Sequence, residues 1–265
     1  MKILITNDDG IHARGIHALI KELSEIAELY LVAPDRERSG TGHSITVFDP
    51  LKVINTTVPG VKQAWIVGGT PVDCVKIAIA RLIEEKIDLV ISGINHGPNL
   101  GTDVLYSGTV SAAAEGIIMG CPSLAISLDS DRNDTEFAFA AQFARQLVTT
   151  LMHWGIEPQT MVNINIPALQ HSEIKGIRVT KLGRRNYENL FEERQDPRGN
   201  TYYWMGGEIL QEEQDPDSDV YAVEQGYISV TPIHLDLTNY QLISRYKHLA
   251  ASFEKRLFPE MKSSD

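Results

Sequence analysis

The chain has 265 residues, a formal net charge of −11 and an ordinary hydrophobic share of 43%. That acidic balance excludes the basic surface a nucleic-acid polymer needs as a partner. No apolar run reaches the ~18 residues that span a bilayer, and the opening residues lack the features of a signal peptide, so the expected setting is cytoplasmic with no membrane partner.

The chain opens on Lys2–Thr6, an apolar run rich in β-branched residues that reads as a short buried strand. It stops at Asn7-Asp8-Asp9-Gly10. In a strand, neighbouring side chains point to opposite faces. In a turn they converge, and Gly10 gives the backbone that freedom. Two convergent carboxylates repel, so they need a shared proton or a cation. The working expectation is a cation.

Residues 14–27 carry apolar side chains at helical spacing. Residues 29–33 form a second buried strand, so strand, helix and strand make a right-handed βαβ unit. A loop rich in glycine and hydroxyls follows, Pro34 to Ser44, with Ser39 in it. Residues 45–57 and 63–67 alternate as strands of an antiparallel excursion. Thr70-Pro71-Val72-Asp73 reads as a helix start with an N-cap, a proline in the first turn and a capping box. Residues 88–94 are a buried parallel strand, running into the glycine-rich Asn95-His96-Gly97-Pro98-Asn99-Leu100-Gly101. Ser107-Gly108-Thr109 then opens a helix of small residues. Residues 123–128 and 161–166 are further strands, with a helix over 136–152 between them. Cys74 and Cys121 read as buried thiols rather than a disulfide or metal pair.

Beyond the region 174–183 the character changes, giving an α/β core over 1–182 and a C-terminal part over 183–265. That part holds an aromatic strand at 201–204, late strands at 220–223 and 227–232, and an amphipathic helix at 239–257. Its aromatics and last helix are expected to bury against a partner subunit.

Three polar clusters occupy equivalent places, each after a strand: Asp8 with Asp9, Ser39, and Asn95. Ligands of open parallel sheets bind at the strands' carboxyl ends. An all-oxygen donor set favours hard ions such as Mg²⁺ or Mn²⁺ over zinc. Ser107, Gly108 and Thr109 at a helix N-terminus make a phosphate-sized anion site. A hard cation beside a phosphate cradle points to metal-assisted phosphoester hydrolysis. Singly, each feature has a plainer reading as a turn, a loop hydroxyl or a cap; their coincidence at one sheet edge raises them together. His43 and His96 flank the same loops as candidate acids or bases, whereas His12 and His17 are expected at the surface. Arg184 and Arg185 read as solvated charge rather than a second phosphate site.

The opening Ile3 to Gly10, the loop Ala33 to Gly40, the run Ser92 to Gly101 and the run Tyr106 to Ala113 together resemble the SurE (survival protein E) family of nucleotidases. The resemblance implies a Rossmann-like fold, a parallel-core sheet with helices on both faces, and a C-terminal oligomerisation hairpin and helix. It implies a divalent-metal-dependent phosphatase that converts nucleoside 5′-monophosphates to nucleoside and phosphate, with 3′-monophosphates and short polyphosphate as further candidate substrates. It implies one Mg²⁺ or Mn²⁺ per subunit on Asp8, Asp9, Ser39 and Asn95, and a phosphate near Asn99, Ser107, Gly108 and Thr109. It also implies self-association to a dimer or tetramer. A bound water or one of the two carboxylates serves as nucleophile or base, and both routes stay open. The rivals are an aspartyl-phosphate phosphatase, whose two acids stand two residues apart, and a non-enzymatic Mg²⁺-binding regulatory module.

Overall fold

The structure is a computed structural model and describes residues 1–130, 132, 135–155, 157, 159–188, 190–210 and 213–258. In chain order its elements are β1 (Lys2–Thr6), α1 (Arg14–Leu23), β2 (Glu28–Pro34), β3 (Val53–Thr56), β4 (Gln63–Val67), α2 (Pro71–Ile77) and β5 (Leu89–His96). There follow α3 (Gly108–Ile118), β6 (Ser123–Asp129), α4 (Ala138–Trp154), β7 (Met161–Pro167) and β8 (Ile177–Val179). The chain continues with β9 (Tyr187–Glu188), β10 (Phe191–Gln195), β11 (Thr201–Met205), β12 (Glu208–Ile209), α5 (Asp219–Glu224), β13 (Ile228–Ile233) and α6 (Tyr240–Leu257).

The main sheet runs β3-β4-β2-β1-β5-β6-β7-β13-β8. Strands β4 to β7 in that order pair in parallel; β3 on one side and β13 on the other are antiparallel to their neighbours within it. From β1 the chain first builds outward through β2, then returns to β5 and builds the other way. The order therefore reverses between β1 and β5, where such sheets bind ligands.

The central strands are apolar because both faces are covered. Ile3 and Ile5 join Leu19 and Leu23 of α1 and Ala140 and Ala144 of α4 in one core. Leu4, on the opposite face, joins Val75 of α2 and Ala112 of α3 in the other. Helix α2 starts as expected: the Thr70 hydroxyl accepts from the Asp73 amide at 3.1 Å, and the Thr70 amide donates to Asp73 at 2.9 Å. Cys74 and Cys121 are buried free thiols.

Three expectations are corrected. No strand begins at residue 45. Thr46 instead gives its amide and hydroxyl to the Asp73 carboxylate, Ile45, Val47 and Phe48 stand exposed, and pairing starts only at Val53. β4, moreover, pairs in parallel with β2, so only β3 is the antiparallel excursion. Residues 220–223 are helical, not extended: the Ser218 hydroxyl caps α5 by accepting from the Tyr221 amide. A four-residue apolar run carries no period that separates the two.

Two compact units divide the chain, Met1–His234 and a second beginning at Leu235 that consists of α6. The first includes the antiparallel pair β10–β11. Residues 259–265 of the expected C-terminal part lie outside the described residues. No described helix is long and apolar enough to cross a membrane.

Candidate functional site

The turn after β1 is closed by Asn7, whose amide nitrogen donates to the Gly10 carbonyl at 2.9 Å. Gly10 takes φ +94°, the left-handed region that favours glycine. This places Asp8 at 4% exposure and Asp9 half-buried, side by side at the carboxyl end of β1.

Asp8 is gripped by the first turn of α3. The Thr109 hydroxyl donates to its Oδ1. Gly108 is needed there for space: a Cβ on it would lie 2.8 Å from the Asp8 Cβ. Asp9 is tied to β5 instead, its Oδ2 accepting the His96 amide at 3.2 Å. That amide follows Asn95, where the pairing of β5 with β6 shifts register. A bulge of this kind re-aims the residue it carries. Asn95 is buried, and its side-chain nitrogen donates to the Gly97 carbonyl at 2.8 Å.

The loop after β2 is stitched to the same turn, the Arg38 amide donating to the Asp8 carbonyl at 2.7 Å. Ser39 follows directly. It is exposed, and its hydroxyl donates to Glu37 at 2.8 Å. Ser107 caps α3, accepting the Val110 amide at 3.1 Å. The structure thus brings Asp8, Asp9, Gly108 and Thr109 together, with Asn95 and Ser39 each one residue from a hydrogen bond to the pair.

Asn99 belongs to a buried amide network. Its side chain donates to Ser127 at 2.7 Å, its amide donates to Asn165 at 2.7 Å, and its carbonyl accepts from Asn163 and Asn165. Ser127, Asn163 and Asn165 went unremarked in the sequence, although Asn-Ile-Asn inside an apolar strand is a legible anomaly. Glu115, the only charged residue of α3, was likewise missed. Its buried carboxylate accepts from His43 at 3.0 Å and from Lys76 at 2.5 Å. His43 is thereby spoken for, and the His96 ring donates through Nε2 to the Arg132 carbonyl at 3.0 Å. His12 and His17 are exposed, as expected.

The electrostatics follow from burial. Desolvation raises the Asp8 carboxyl above its usual range against the pull of Thr109. Burial, then the charge of Asp8, pushes Asp9 up to about 6. Glu37 adds to the negative field on both. Among the described residues no three His, Cys, Asp or Glu side chains cluster for a metal. The donors here are two carboxylates with neutral oxygens nearby, the type hard ions accept. Two adjacent carboxylates that burial and mutual repulsion both disfavour are a pair that a divalent cation stabilises, so these residues fit such an ion.

The family described as Survival protein SurE matches residues 3–189. A protein named 5′-nucleotidase SurE from Syntrophomonas wolfei is 65% identical over 257 residues, 97% of each chain. One of the same name from Heliobacterium modesticaldum is 53% identical, covering 92% of this chain and 89% of its own. The crystal structure of the SurE protein from Aquifex aeolicus superposes with a TM-score of 0.82 at 43% identity, covering 94% of this chain and all of that one.

Proposed function

The chain belongs to the SurE family, and from that premise we propose that it hydrolyses nucleoside 5′-monophosphates to nucleoside and phosphate at a divalent-metal centre on Asp8 and Asp9. The observation that carries the reading is the pairing of Asp8, buried and held by the first turn of α3, with half-buried Asp9, held by β5, where the strand order reverses.

Asp8 and Asp9 would hold Mg²⁺ or Mn²⁺, with Ser39 and Asn95 completing the protein's share of the shell. When bound, the ion supplies a Lewis-acid charge that polarises the phosphoryl group and lowers the pKa of water. The Thr109 hydroxyl fixes the Asp8 carboxylate, and the His96 amide fixes Asp9. The N-terminus of α3, with Ser107 and Gly108, offers the positive end of a helix to the phosphate charge that grows in the transition state. Asn99 is the further phosphate-side residue of this reading, and its bonds to Ser127 and Asn165 hold the glycine-rich loop.

A cytoplasmic setting belongs to the same reading, supported by two buried free cysteines. So does self-association to a dimer or tetramer through the part 183–265. The exposed aromatics of β11 and the exposed Leu242, Tyr246, Leu249 and Phe253 of α6 support it. Light scattering tests this, a monomeric mass counting against it.

The test of the activity is a phosphate-release screen over 5′- and 3′-monophosphates and short polyphosphates, with Mg²⁺ or Mn²⁺ supplied. Release from 5′-monophosphates is expected, and silence on every nucleotide would refute the reading. A trapped phosphorylated Asp8 or Asp9 would replace it with the aspartyl-phosphate route.

A further inference from the structure

A cavity of about 650 Å³ is lined by His96, Gly97, Pro98, Asp129, Ser130 and Arg185. Its size lies within the range of small-ligand sites, about 300–1,000 Å³. Its link to the carboxylate pair is His96, whose amide donates to Asp9. Asp129 ends β6, the strand beside β5, so the cavity continues the line of strand ends that begins at Asp8.

Arg185 comes from beyond the core strands and is held firmly. Its side chain is 12% exposed and its Nη1 lies 2.9 Å from Asp103 Oδ2, which also accepts from the Tyr187 hydroxyl. Its carbonyl accepts the Thr102 hydroxyl at 2.8 Å, and its amide donates back at 3.3 Å. A guanidinium fixed in this way is pre-organised, so little side-chain entropy is lost when a ligand meets it.

We propose that this cavity binds the nucleoside half of the substrate, Asp129 accepting from the ribose hydroxyls and the Arg185 plane lying against the base. The proposal rests on the nucleotidase reading above and adds where the nucleoside sits. A carboxylate at a strand end is suited to a ribose diol, and guanidinium planes stack on bases. A second phosphate is the rival occupant. It fits poorly, because the charge of Arg185 is already paired with Asp103 and the wall carries Asp129.

The test measures kcat/KM on AMP, 2′-deoxy-AMP, p-nitrophenyl phosphate and tripolyphosphate for the full-length, metal-supplied protein. In Arg185→Ala the ratio of AMP to p-nitrophenyl phosphate is expected to fall about tenfold. Arg185→Lys keeps the charge beside Asp103 but not the plane, so the ratio falls there too, and it serves if the alanine variant does not fold. In Asp129→Asn the preference for AMP over 2′-deoxy-AMP is expected to shrink about tenfold. Ratios that match the wild type in all three variants overturn the subsite. So does an Arg185→Lys loss that falls on tripolyphosphate rather than AMP. Wild-type turnover of p-nitrophenyl phosphate without AMP would instead overturn the nucleotidase reading itself.

Discussion

The Thr109 hydroxyl donates to the Asp8 carboxylate across 101 residues of sequence, joining the end of β1 to the start of α3. Both groups are buried. Thr109 is the side-chain partner that holds this carboxylate, beside backbone bonds from Asp8 and Thr109 themselves.

Removing the hydroxyl in Thr109→Val leaves Asp8 buried without it. A hydrogen bond to a charged group is worth about 1.5–3 kcal/mol, so kcat/KM for AMP is expected to fall roughly 10- to 100-fold. Thr109→Ser keeps the donor and should recover most of it. Steady-state phosphate release distinguishes the two, and equal activity of Val and wild type would return Thr109 to a packing role.

Gly108→Ala tests the space beside Asp8. The new Cβ would meet the Asp8 side chain, 2.8 Å from its Cβ and 2.9 Å from its Oδ2. Overpacking of this kind costs about 1–3 kcal/mol. Thermal unfolding should show a lower Tm together with lost activity. An unchanged Tm would mean that Asp8 can move aside.

Asp9 gives a pH dependence. Its carboxyl is raised by burial first and the Asp8 charge second, to about 6 from the ordinary 3.8. The folded metal-free protein therefore binds more protons than the unfolded chain between those values. Its contribution to stability is present below about 4 and is lost as pH rises through about 6. Asp9→Asn removes that loss. In EDTA-treated protein its Tm should exceed that of wild type by about 2–6 °C at pH 8 and converge on it at pH 4. A constant difference at both pH values would contradict the account.

Glu115 anchors the Ser39 loop. Burial alone would raise its carboxyl, yet the bonds to His43 and Lys76 hold it below the usual range. Truncation removes the group that His43 and Lys76 share. Glu115→Ala should speed amide hydrogen exchange in residues 39–46 while leaving β1 protected. Unaltered exchange in that loop would show that Asp73 and Thr46 suffice to hold it.

Much of this arrangement was legible in the residues. The unbroken apolar β1, the capping box at Thr70 and the turn at Asn7 to Gly10 each carry a local signal that the tertiary fold does not override. So does the placement of Asp8 and Ser39 after β1 and β2; Asn95, expected after its strand, lies within β5, which runs on to His96 past the register shift. The extended reading of residues 220–223 failed because a short apolar run has no period, and the cap at Ser218 was the cue passed over. The strand expected from residue 45 failed because Asp73, 27 positions away, captures Thr46. The Asn99 network was hidden for the same reason: its partners Ser127, Asn163 and Asn165 lie on two other strands and meet only once β6 and β7 pair. Arg185, read as solvated charge, is mostly buried because Asp103 draws it in.

The central claim is that Asp8 and Asp9 hold a divalent ion on which hydrolysis depends. The most direct measurement is phosphate release from AMP by one preparation before chelation, after EDTA, and after adding back Mn²⁺ or Mg²⁺. The account expects turnover to vanish with the chelator and return with the metal. Full turnover in the demetallated protein would contradict it.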